Sequence, residues 1–391
     1  MERIMDSVCL EESFFTHFDS LDDPRLDNHN RRHNLHDVLV IATLGTICGA
    51  DTWTEICAFG EAKSDWLKTF LKLPNGIPSH DTFGRIFALL SAEKFEQCFR
   101  DWISSLTLDL SREVIAIDGK TLRGSHRRSN GIRPLHIVSA WASEHRLTLG
   151  QIKTEEKSNE ITAIPQLLDK IDVKNSIITI DAMGCQKNIS QKILAQEADY
   201  VLSLKANQQS LHKDISTIFE QAEEKQYKKI LHLRRIEKVH DHGRIETRKY
   251  TLLSARDPLL FELRWPGLRG IGKVDVTRTV NNQVERLTRY FITSLHYEQI
   301  GDFMKAVRSH WHIEINCHWS LDVSFREDDN RTRIGNAAEN LAMIRRIALN
   351  LLKQETSNKR GITCKRKKAG WDNQYLMKVL SADNNITRGA K

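Results

Sequence analysis

The chain has 391 residues, 40% apolar and 28% charged, a composition typical of a globular protein with room for two or three domains. No apolar run approaches the length of a membrane span, and the N-terminus lacks a basic stretch followed by an apolar one, so we expect neither a transmembrane helix nor a secretory signal. The seven cysteines are scattered without a Cys-x-x-Cys pair, which favours reduced thiols in a cytoplasmic protein.

The net charge of +7 is unevenly distributed along the chain. Residues 1–100 contain 10 Lys and Arg against 16 Asp and Glu, whereas residues 353–391 contain 10 against 3. The basic C-terminal segment includes KRKK, from Lys365 to Lys368. Such a segment suits a polyanionic partner such as nucleic acid, although a solvated basic surface has the same composition.

Residues 1–108 are predicted to form a helical N-terminal domain. LHDVLVIATLGTICGA predicts an apolar helix that ends near Gly49, and TWTEICAFGEAKSDWLKTFL predicts one or two further helices.

An amphipathic helix is predicted after Pro78, with Ser79 or Asp81 as its N-cap. The spacing of Ser79, Thr82 and Arg85 would suit a helix that enters a DNA groove. An ordinary packed helix has the same pattern, and the acidic balance of the region favours that interpretation.

From residue 109 the pattern becomes that of an α/β fold, and residues 109–207 are predicted to form the first part of an α/β core. EVIAID, LHIVSAWA and LTLGQIKT are predicted strands, the last two joined as a hairpin across SEHR. NEITAIPQLLDKI is a predicted helix interrupted near its start by Pro165. SIITID and DYVLSL are two more strands, separated by the helix QKNISQKILAQE.

Two of these apolar strands are predicted to end in an acid, Asp118 and Asp181. The Gly-Lys-Thr that follows Asp118 also closes a Walker A loop, but that motif requires glycine at position 114, which is Val114. The carboxyl ends of strands are where α/β folds collect functional groups, so we predict that the two acids share a site.

Residues 208–300 are predicted to be a β-rich insertion that begins with one helix. KILHLRRIEKVHDH, GRIETRKYTLLSA, GIGKVDVTRTV and VERLTRYFITS have the composition of strands. Helices return over residues 301–354 as the remainder of the core. Residues 355–391 are predicted to be a mobile basic tail, apart from a short amphipathic stretch at NQYLMKVLSA.

A third acid, Glu314, lies in HWHIEINCHW on a predicted helix. Three carboxylates from two strands and a helix could hold two divalent cations through oxygen ligands, and Mg²⁺ suits such a site. Two ions about 3.5–4 Å apart can stabilise the attacking and leaving oxygens of a phosphoryl displacement. Asp322 and the acids at 327–329 are rivals for the third position; we assign it to Glu314 and a supporting role to Asp322.

The same segment contains His310, His312, Cys317 and His318. Their spacing matches no structural zinc pattern, so we interpret these histidines as neutral or facing DNA. Three tryptophans are predicted to be core residues rather than platforms for stacked bases: Trp141, Trp311 and Trp319.

Several basic or polar side chains are candidates for contact with DNA phosphates. Lys205 and Asn207 follow a strand predicted to run parallel to the Asp181 strand, and a solvated turn is the alternative. Arg244 and Arg248 are four residues apart and would share one side of an extended segment, where a surface strand with paired charges is the alternative. Two more candidates, Lys120 and Arg123, closely follow the first acid.

The sequence resembles the DDE-type insertion-sequence transposases, specifically the H-repeat-associated family found near Rhs elements. The resemblance covers nearly the whole chain and is carried by HNLHDVLVIATLGTICGADTW, GIPSHDTFGRIF, AIDGKTLRGS, EKSNEITAIPQLL, TIDAMGCQ, LKANQ, HGRIETR and HWHIEINCHWSLDVSFREDDNRTRIGNAAENLA. It implies an α/β, ribonuclease-H-like catalytic core with a β-rich insertion, preceded by an all-helical domain. It also implies that Asp118, Asp181 and Glu314 are catalytic and bind two Mg²⁺ ions, with Mn²⁺ as a substitute.

This sequence departs from the pattern of related transposases around the third acid. Those proteins often place Tyr seven residues before the glutamate, Arg four before and Lys seven after; here the positions hold Val307, His310 and Leu321. His310 lies one helical turn before Glu314 and is predicted to take over a phosphate contact.

The resemblance implies a DNA transposase that cleaves element ends and joins them to a target. We predict that the helical domain of residues 1–108 binds these DNA ends, despite its acidic balance. Its partners would be terminal inverted repeats, target DNA and a second protomer in a DNA-bound homodimer, and it would act in the bacterial cytoplasm at the nucleoid, without a membrane. Two alternatives remain open: a metal-dependent nuclease on the same fold that does not join strands, and a non-catalytic DNA-binding relic.

Overall fold

The computed structural model describes residues 14–26, 31–106, 108–126, 133–154, 159–241, 244–255, 264–280 and 283–382. The end of the predicted basic tail (383–391) and the start of the EKSNEITAIPQLL stretch lie outside these ranges. Within them, no helix combines the length and apolarity that a membrane crossing requires.

The N-terminal region is helical, as predicted. Its helices are α1 (Leu35–Ile47), α2 (Trp53–Ala62), α3 (Ser64–Leu67), α4 (His80–Leu89) and α5 (Ala92–Ser105). Ser79 caps α4 by accepting a hydrogen bond from the Thr82 backbone N–H at 3.3 Å. The single amphipathic helix expected after Ser79 is in fact two helices, because the chain leaves the helical conformation at Leu90 and Ser91 caps a second one.

The α/β region contributes five strands to one sheet: β1 (Val114–Leu122), β2 (Leu135–Ala142), β3 (Leu147–Lys153), β4 (Ile177–Ile180) and β5 (Asp199–Leu204). Their order is β3-β2-β1-β4-β5, with β1, β4 and β5 parallel and β2 and β3 antiparallel. This is the strand arrangement of a ribonuclease-H-like core, as expected.

The prediction that the first strand ends at Asp118 is wrong. Parallel pairing of β1 with β4 does stop at Ile117, opposite Ile180, but antiparallel pairing with β2 continues to Leu122. Asp118 therefore projects from the middle of a strand that is held on one side only, and its backbone is fixed more firmly than that of a strand terminus.

Helices α6 (Glu160–Leu168) and α7 (Lys187–Ala195) connect β3, β4 and β5. Asn159 caps α6 by accepting a hydrogen bond from the Ile161 backbone N–H at 3.0 Å. The expected interruption at Pro165 does not occur, since this proline lies inside α6 and costs the helix a single backbone hydrogen bond.

Residues 208–300 begin with α8 (Gln209–Glu224) and continue as four long strands: β6 (His232–Asp241), β7 (Arg244–Ser254), β8 (Gly270–Val280) and β9 (Gln283–Thr293). The predicted strands are all present. They form an antiparallel meander, and β9 pairs with β5, so the described strands make one nine-stranded sheet. Sequence reasoning did not anticipate that the inserted strands would extend the core sheet.

A long helical run follows the insertion. It consists of α9 (Ile300–Ser309), a π-helical segment (Ile313–His318) and α10 (Trp319–Phe325), and α11 (Ala337–Gln354) comes after a polar bend. Helix α9 packs on β1, β4, β5 and β7, which ties the inserted strands to the core. Helix α11 packs against both α1 of the N-terminal region and β3 of the sheet.

The predicted mobile tail is largely folded. Two helices, α12 (Ile362–Trp371) and α13 (Asn373–Leu380), pack against α11, and α12 also packs against α1. The KRKK sequence lies in α12, where Lys365 and Arg366 are buried while Lys367 and Lys368 are exposed. Two of these four basic residues are therefore buried in the protein interior and are not available to a polyanionic partner.

Candidate functional site

Asp118 and Asp181 lie at neighbouring positions of two adjacent parallel strands. The last paired residues of β1 and β4 are Ile117 and Ile180, and each acid comes next in its chain. Asp181 ends β4 and caps the following turn, since its Oδ1 accepts hydrogen bonds from the backbone N–H groups of Met183 at 2.9 Å and Gly184 at 3.4 Å. The sequence pattern predicted that these two acids share a site, although Asp118 lies within β1 and not at its end.

Glu314 and His318 come to the same place from the π-helical segment. The His318 Nδ1 atom lies 3.5 Å from Asp118 Oδ2 and 3.8 Å from Glu314 Oε2. Ligand atoms of these three residues all lie within 4.8 Å of one another, the spacing of a group that could hold a metal ion. Asp181 is not part of this close group, but it lines the same cavity.

Electrostatics at this group favour a bound cation. Burial raises the pKa of Asp118 well above its usual range, and the neighbouring carboxylates of Glu314 and Glu160 raise it further. Contact with His318 lowers the pKa of Glu314. The buried Asp118 therefore holds a proton more tightly than the exposed Glu314, because an ionised Glu314 disfavours a second negative charge beside it.

The donor set fits a divalent ion. Carboxylate oxygens are the ligands that Mg²⁺ and Mn²⁺ accept, and a cation between Asp118 and Glu314 would relieve their repulsion. Among the described residues, atoms of Asp118, Glu314 and His318 are close enough to share one ion, and Asp181 could contribute from the neighbouring strand.

The three acids line an open cavity of about 680 Å³. Lys205, at the end of β5, is exposed on its wall. His310 also lines it and bonds through Nδ1 to the Thr179 hydroxyl at 3.2 Å, and burial lowers its pKa. The structure thus brings Lys205 and His310 to the acids, as the sequence predicted.

Lys120 does not face this cavity. Its ammonium lies 2.6 Å from Asp322, 3.1 Å from Asp328 and 3.4 Å from Glu327, and its side chain is 7% exposed. It is therefore not available to a DNA phosphate. Asp322, assigned a supporting role, instead ties the helix that carries Glu314 to the strand that carries Asp118.

Of the remaining residues predicted to contact DNA, one makes a structural hydrogen bond and two have exposed side chains. Asn207 donates a hydrogen bond to the Ala182 carbonyl and so fixes the turn next to Asp181. Arg123 has an 85% exposed side chain whose Nε lies 3.4 Å from Asp328 Oδ2. Arg85 is exposed on α4, outside the residues that line the cavity.

A second cavity, of about 540 Å³, adjoins the first on the inserted strands. Arg244 and Arg248 both line it, so they share one face of β7 as expected. Arg278, Arg289 and Arg308 line it too, and acids partly neutralise this surface: Arg248 lies 2.5 Å from Glu246. The two cavities have four lining residues in common, namely Leu287, Arg289, Val307 and Trp311.

Sequence reasoning missed three features of the site. His318 was interpreted only as a histidine outside any zinc pattern, although its i+4 spacing from Glu314 could have indicated a shared face. Glu160, in the first turn of α6, is near enough to raise the pKa of Asp118, and its Oε1 lies 2.9 Å from His136 Nε2. The prediction that Trp311 is a core residue is wrong: its ring is 48% exposed at the junction of the cavities, with the Arg289 guanidinium 5.5 Å from its centroid.

The other two tryptophans of that prediction differ from each other. Trp141 is fully buried in β2, as expected, whereas Trp319 is 59% exposed on the outer face of α10. Aromatic residues occur on both the buried and the exposed face of this helical run. Sequence periodicity therefore does not show that the Trp319 ring lies on the exposed face.

Two family models match this chain. The transposase DDE domain matches residues 109–351, and a domain described as DDE_Tnp_1-associated matches residues 15–103. The acids of the site, Asp118, Asp181 and Glu314, all lie within the first of these matches.

Curated relatives agree with these matches. The "H repeat-associated putative transposase YhhI" of Escherichia coli K12 is 40% identical over 354 residues, which covers 89% of this chain and 93% of that protein. The protein YbfL of the same strain is similar to the same extent over the same shares of both chains. A cryo-EM structure of a piggyBac transposase synaptic complex with hairpin DNA aligns over 96% of this chain and 80% of that chain, with a TM-score of 0.42 and 11% identity, a likeness too weak to establish shared details.

The match to the transposase DDE domain covers well over half of the chain. Within it, a ribonuclease-H-like sheet carries two acids on neighbouring strands, and a helical segment carries the third. This chain therefore belongs to the DDE transposase family, among its H-repeat-associated members.

Proposed function

We propose that this protein cleaves DNA at the ends of a mobile element and joins those ends to target DNA, with Mg²⁺ as its ion and Mn²⁺ as a substitute. The observation that carries the proposal is that Asp118, Asp181 and Glu314 line one open cavity, although they are separated by up to 196 positions in the chain. When bound, two divalent cations would neutralise charge during in-line displacement at a phosphodiester.

The chain's own residues would hold and orient the DNA. Lys205 is exposed beside the acids and is positioned to contact a phosphate near the scissile bond. His310 would contact a second phosphate from the helix that carries Glu314. Because the site needs reacting groups held in line, most of the rate would come from this positioning and from charge neutralisation.

The arginine-lined cavity would hold the DNA flanking the cleaved bond. Its lining includes Arg244, Arg248 and Arg278, and it joins the acidic cavity at Arg289 and Trp311. Arginine side chains there would contact the phosphate backbone without reading sequence. Arg123 lies at the rim of β1 and would add a further backbone contact.

Partners and location follow from the proposed reaction. Two element ends must be brought together before joining, so a second protomer on the DNA is part of the proposal, as is action at the nucleoid. The helical region matched by the associated domain, with Arg85 exposed on α4, is the proposed reader of the terminal inverted repeats.

A cleavage and joining assay tests this function. Labelled duplexes from the flanks of the element are incubated with Mg²⁺ or Mn²⁺ and with wild-type protein, the Asp181→Asn variant or the Asp214→Asn variant. The control removes the same charge at an exposed position of α8. We expect cleavage to fall by about 10²–10³-fold or more in Asp181→Asn, with DNA binding retained, and to be unchanged in Asp214→Asn.

The products decide between the candidate activities. Joined strands indicate a transposase, and cleavage without joining would indicate a nuclease on the same fold. Binding without cleavage by the wild-type protein in both metals would overturn the catalytic proposal in favour of a DNA-binding relic.

A further inference from the structure

His318 is a buried imidazole at the acidic site whose hydrogen bonding does not explain its position. Its side chain is only 6% exposed, and Nε2 has no hydrogen-bond partner among the described residues. Nδ1 faces Asp118 and Glu314, at 3.5 Å and 3.8 Å. Buried ring nitrogens are ordinarily hydrogen-bonded, at about 2.7–3.2 Å, so neither contact is a normal hydrogen bond.

The spacing is that of two ligands of one ion. Atoms bound to an octahedral cation at about 2.1 Å lie about 3.0 Å apart when adjacent and about 4.2 Å apart when opposite. Both His318 distances fall between these two values, so a shift of about 0.5 Å would bring the atoms to ligand spacing. The nitrogen and one oxygen of each carboxylate lie within 4.8 Å of one another, close enough for one ion to draw them together.

The helical segment Ile313–His318 places His318 on the same face as Glu314. With more than four residues per turn, residues four apart lie almost above one another, so Glu314 and His318 project from nearly the same line of the helix. Single π-helical turns occur often at functional sites because they re-aim a side chain in this way.

We propose that His318 Nδ1 is a third protein ligand for an ion held by Asp118 and Glu314. This inference rests on the proposed function only in that these two acids bind a cation. Imidazole nitrogen suits transition ions better than Mg²⁺, so this position of the site favours Mn²⁺ or a comparable transition ion. A second ion beside Asp181 would have the carboxylate oxygens of this acid as its ligands.

Pulsed electron paramagnetic resonance of bound Mn²⁺ tests the inference without reference to activity. A directly coordinated imidazole nitrogen produces ¹⁴N modulation of the Mn²⁺ echo. We expect this modulation in the wild-type protein and its loss in His318→Gln. The matched control is His312→Gln, which changes a histidine on the same helical run that lines the arginine cavity and not the acidic one, and which should retain the modulation.

Metal titration gives a second readout. Replacing one ligand should weaken Mn²⁺ binding by about 10–100-fold in His318→Gln, while Mg²⁺ binding changes by less than about threefold. The wild-type spectrum needs no variant, so it remains decisive if His318→Gln folds poorly, which circular dichroism would show.

Three results would overturn the inference. They are bound Mn²⁺ without ¹⁴N modulation in the wild-type protein, modulation that persists in His318→Gln, and no Mn²⁺ binding at all. Cleavage supported by Mg²⁺ in the same preparation would leave the proposed function intact in each case, so the two failures are distinguishable.

Discussion

At the scale of single residues, a buried network of charged side chains lies next to the strand that carries Asp118. Glu327 and Arg346 are both fully buried, 3.0 Å apart, and Lys120 lies 3.4 Å from the same carboxylate. Burial alone would raise the pKa of Glu327, but the attraction of Arg346 and Lys120 outweighs it and holds that pKa at about 2. Since Lys120 follows Asp118 by two residues on β1, this network helps to fix the strand that carries the first acid.

Replacing Glu327 with Gln is expected to lower the free energy of unfolding by about 3–5 kcal/mol, because it leaves Arg346 buried without a counter-charge. In the wild-type protein, the ionised Glu327 carboxylate contributes fully to the free energy of unfolding above its ordinary pKa of 4.5. This contribution is lost as the pH falls towards the folded-state pKa of about 2. Glu327→Gln should therefore lack this part of the acid sensitivity, as measured by urea unfolding between pH 7 and pH 3.

A matched control is Asp329→Asn, which removes an exposed ion pair. The side chain of Arg326 is 64% exposed and that of Asp329 is 69% exposed. That change should cost less than about 1 kcal/mol at pH 7. Equal losses in the two variants would contradict the structural role assigned to Glu327.

At the scale of elements, the packing of α9 on β8 joins the inserted strands to the core. The Phe303 ring of α9 lies over Gly272 of β8, where an added Cβ would come within 2.3 Å of the ring. Tyr250 and Phe291, on the neighbouring strands β7 and β9, surround the same ring. Glycine at this position therefore sets the distance between the helix that leads to Glu314 and the sheet.

Gly272→Ala is expected to destabilise the protein by about 1–3 kcal/mol through overpacking against Phe303. Gly301→Ala is the control on α9 itself: no atom lies within 4 Å of an added Cβ there, and alanine in a helix should be neutral or stabilise by up to about 1 kcal/mol. Thermal unfolding followed by circular dichroism measures both. A Gly272→Ala variant as stable as wild type would mean that α9 shifts freely on the sheet.

At the scale of the whole molecule, the C-terminal helices bind the N-terminal region to the catalytic core. Arg366 of α12 donates hydrogen bonds to the carbonyls of Thr46 and Ser324 and lies 2.7 Å from Asp51 Oδ1. Thr46 belongs to α1, whereas Ser324 belongs to α10, just after the helical segment with Glu314. One buried side chain thus bridges three parts of the fold.

We expect Arg366→Gln to lower the free energy of unfolding by about 3–5 kcal/mol, because it leaves Asp51 and two carbonyls short of a partner. Lys367→Gln removes the same charge from the exposed side of α12 and should leave stability within about 0.5 kcal/mol of wild type. Chemical denaturation of both variants measures the difference. A small effect of Arg366→Gln would instead support the earlier interpretation of KRKK as a solvated basic segment.

The sequence alone was sufficient to predict the strands, the α/β core and the three acids of the site. Alternating or continuous apolar runs located all nine described strands, because burial of one or both faces of a sheet imposes that pattern. The strand–helix order and the two acids that follow apolar runs indicated the α/β core and one shared edge for Asp118 and Asp181. Glu314 was assigned through the resemblance of HWHIEINCHW and its neighbours to a known family.

Only the tertiary structure decided how charged and aromatic side chains are used. Lys120, Lys365 and Arg366 have the local sequence of solvent-exposed or DNA-binding residues. They are buried because the fold brings carboxylates and carbonyls of other elements to them. The joining of β9 to β5 likewise depends on long-range backbone pairing, which leaves no local pattern. The approach of His318 to Asp118 also depends on the packing of the helical segment Ile313–His318 against β1, which brings together residues far apart in the chain.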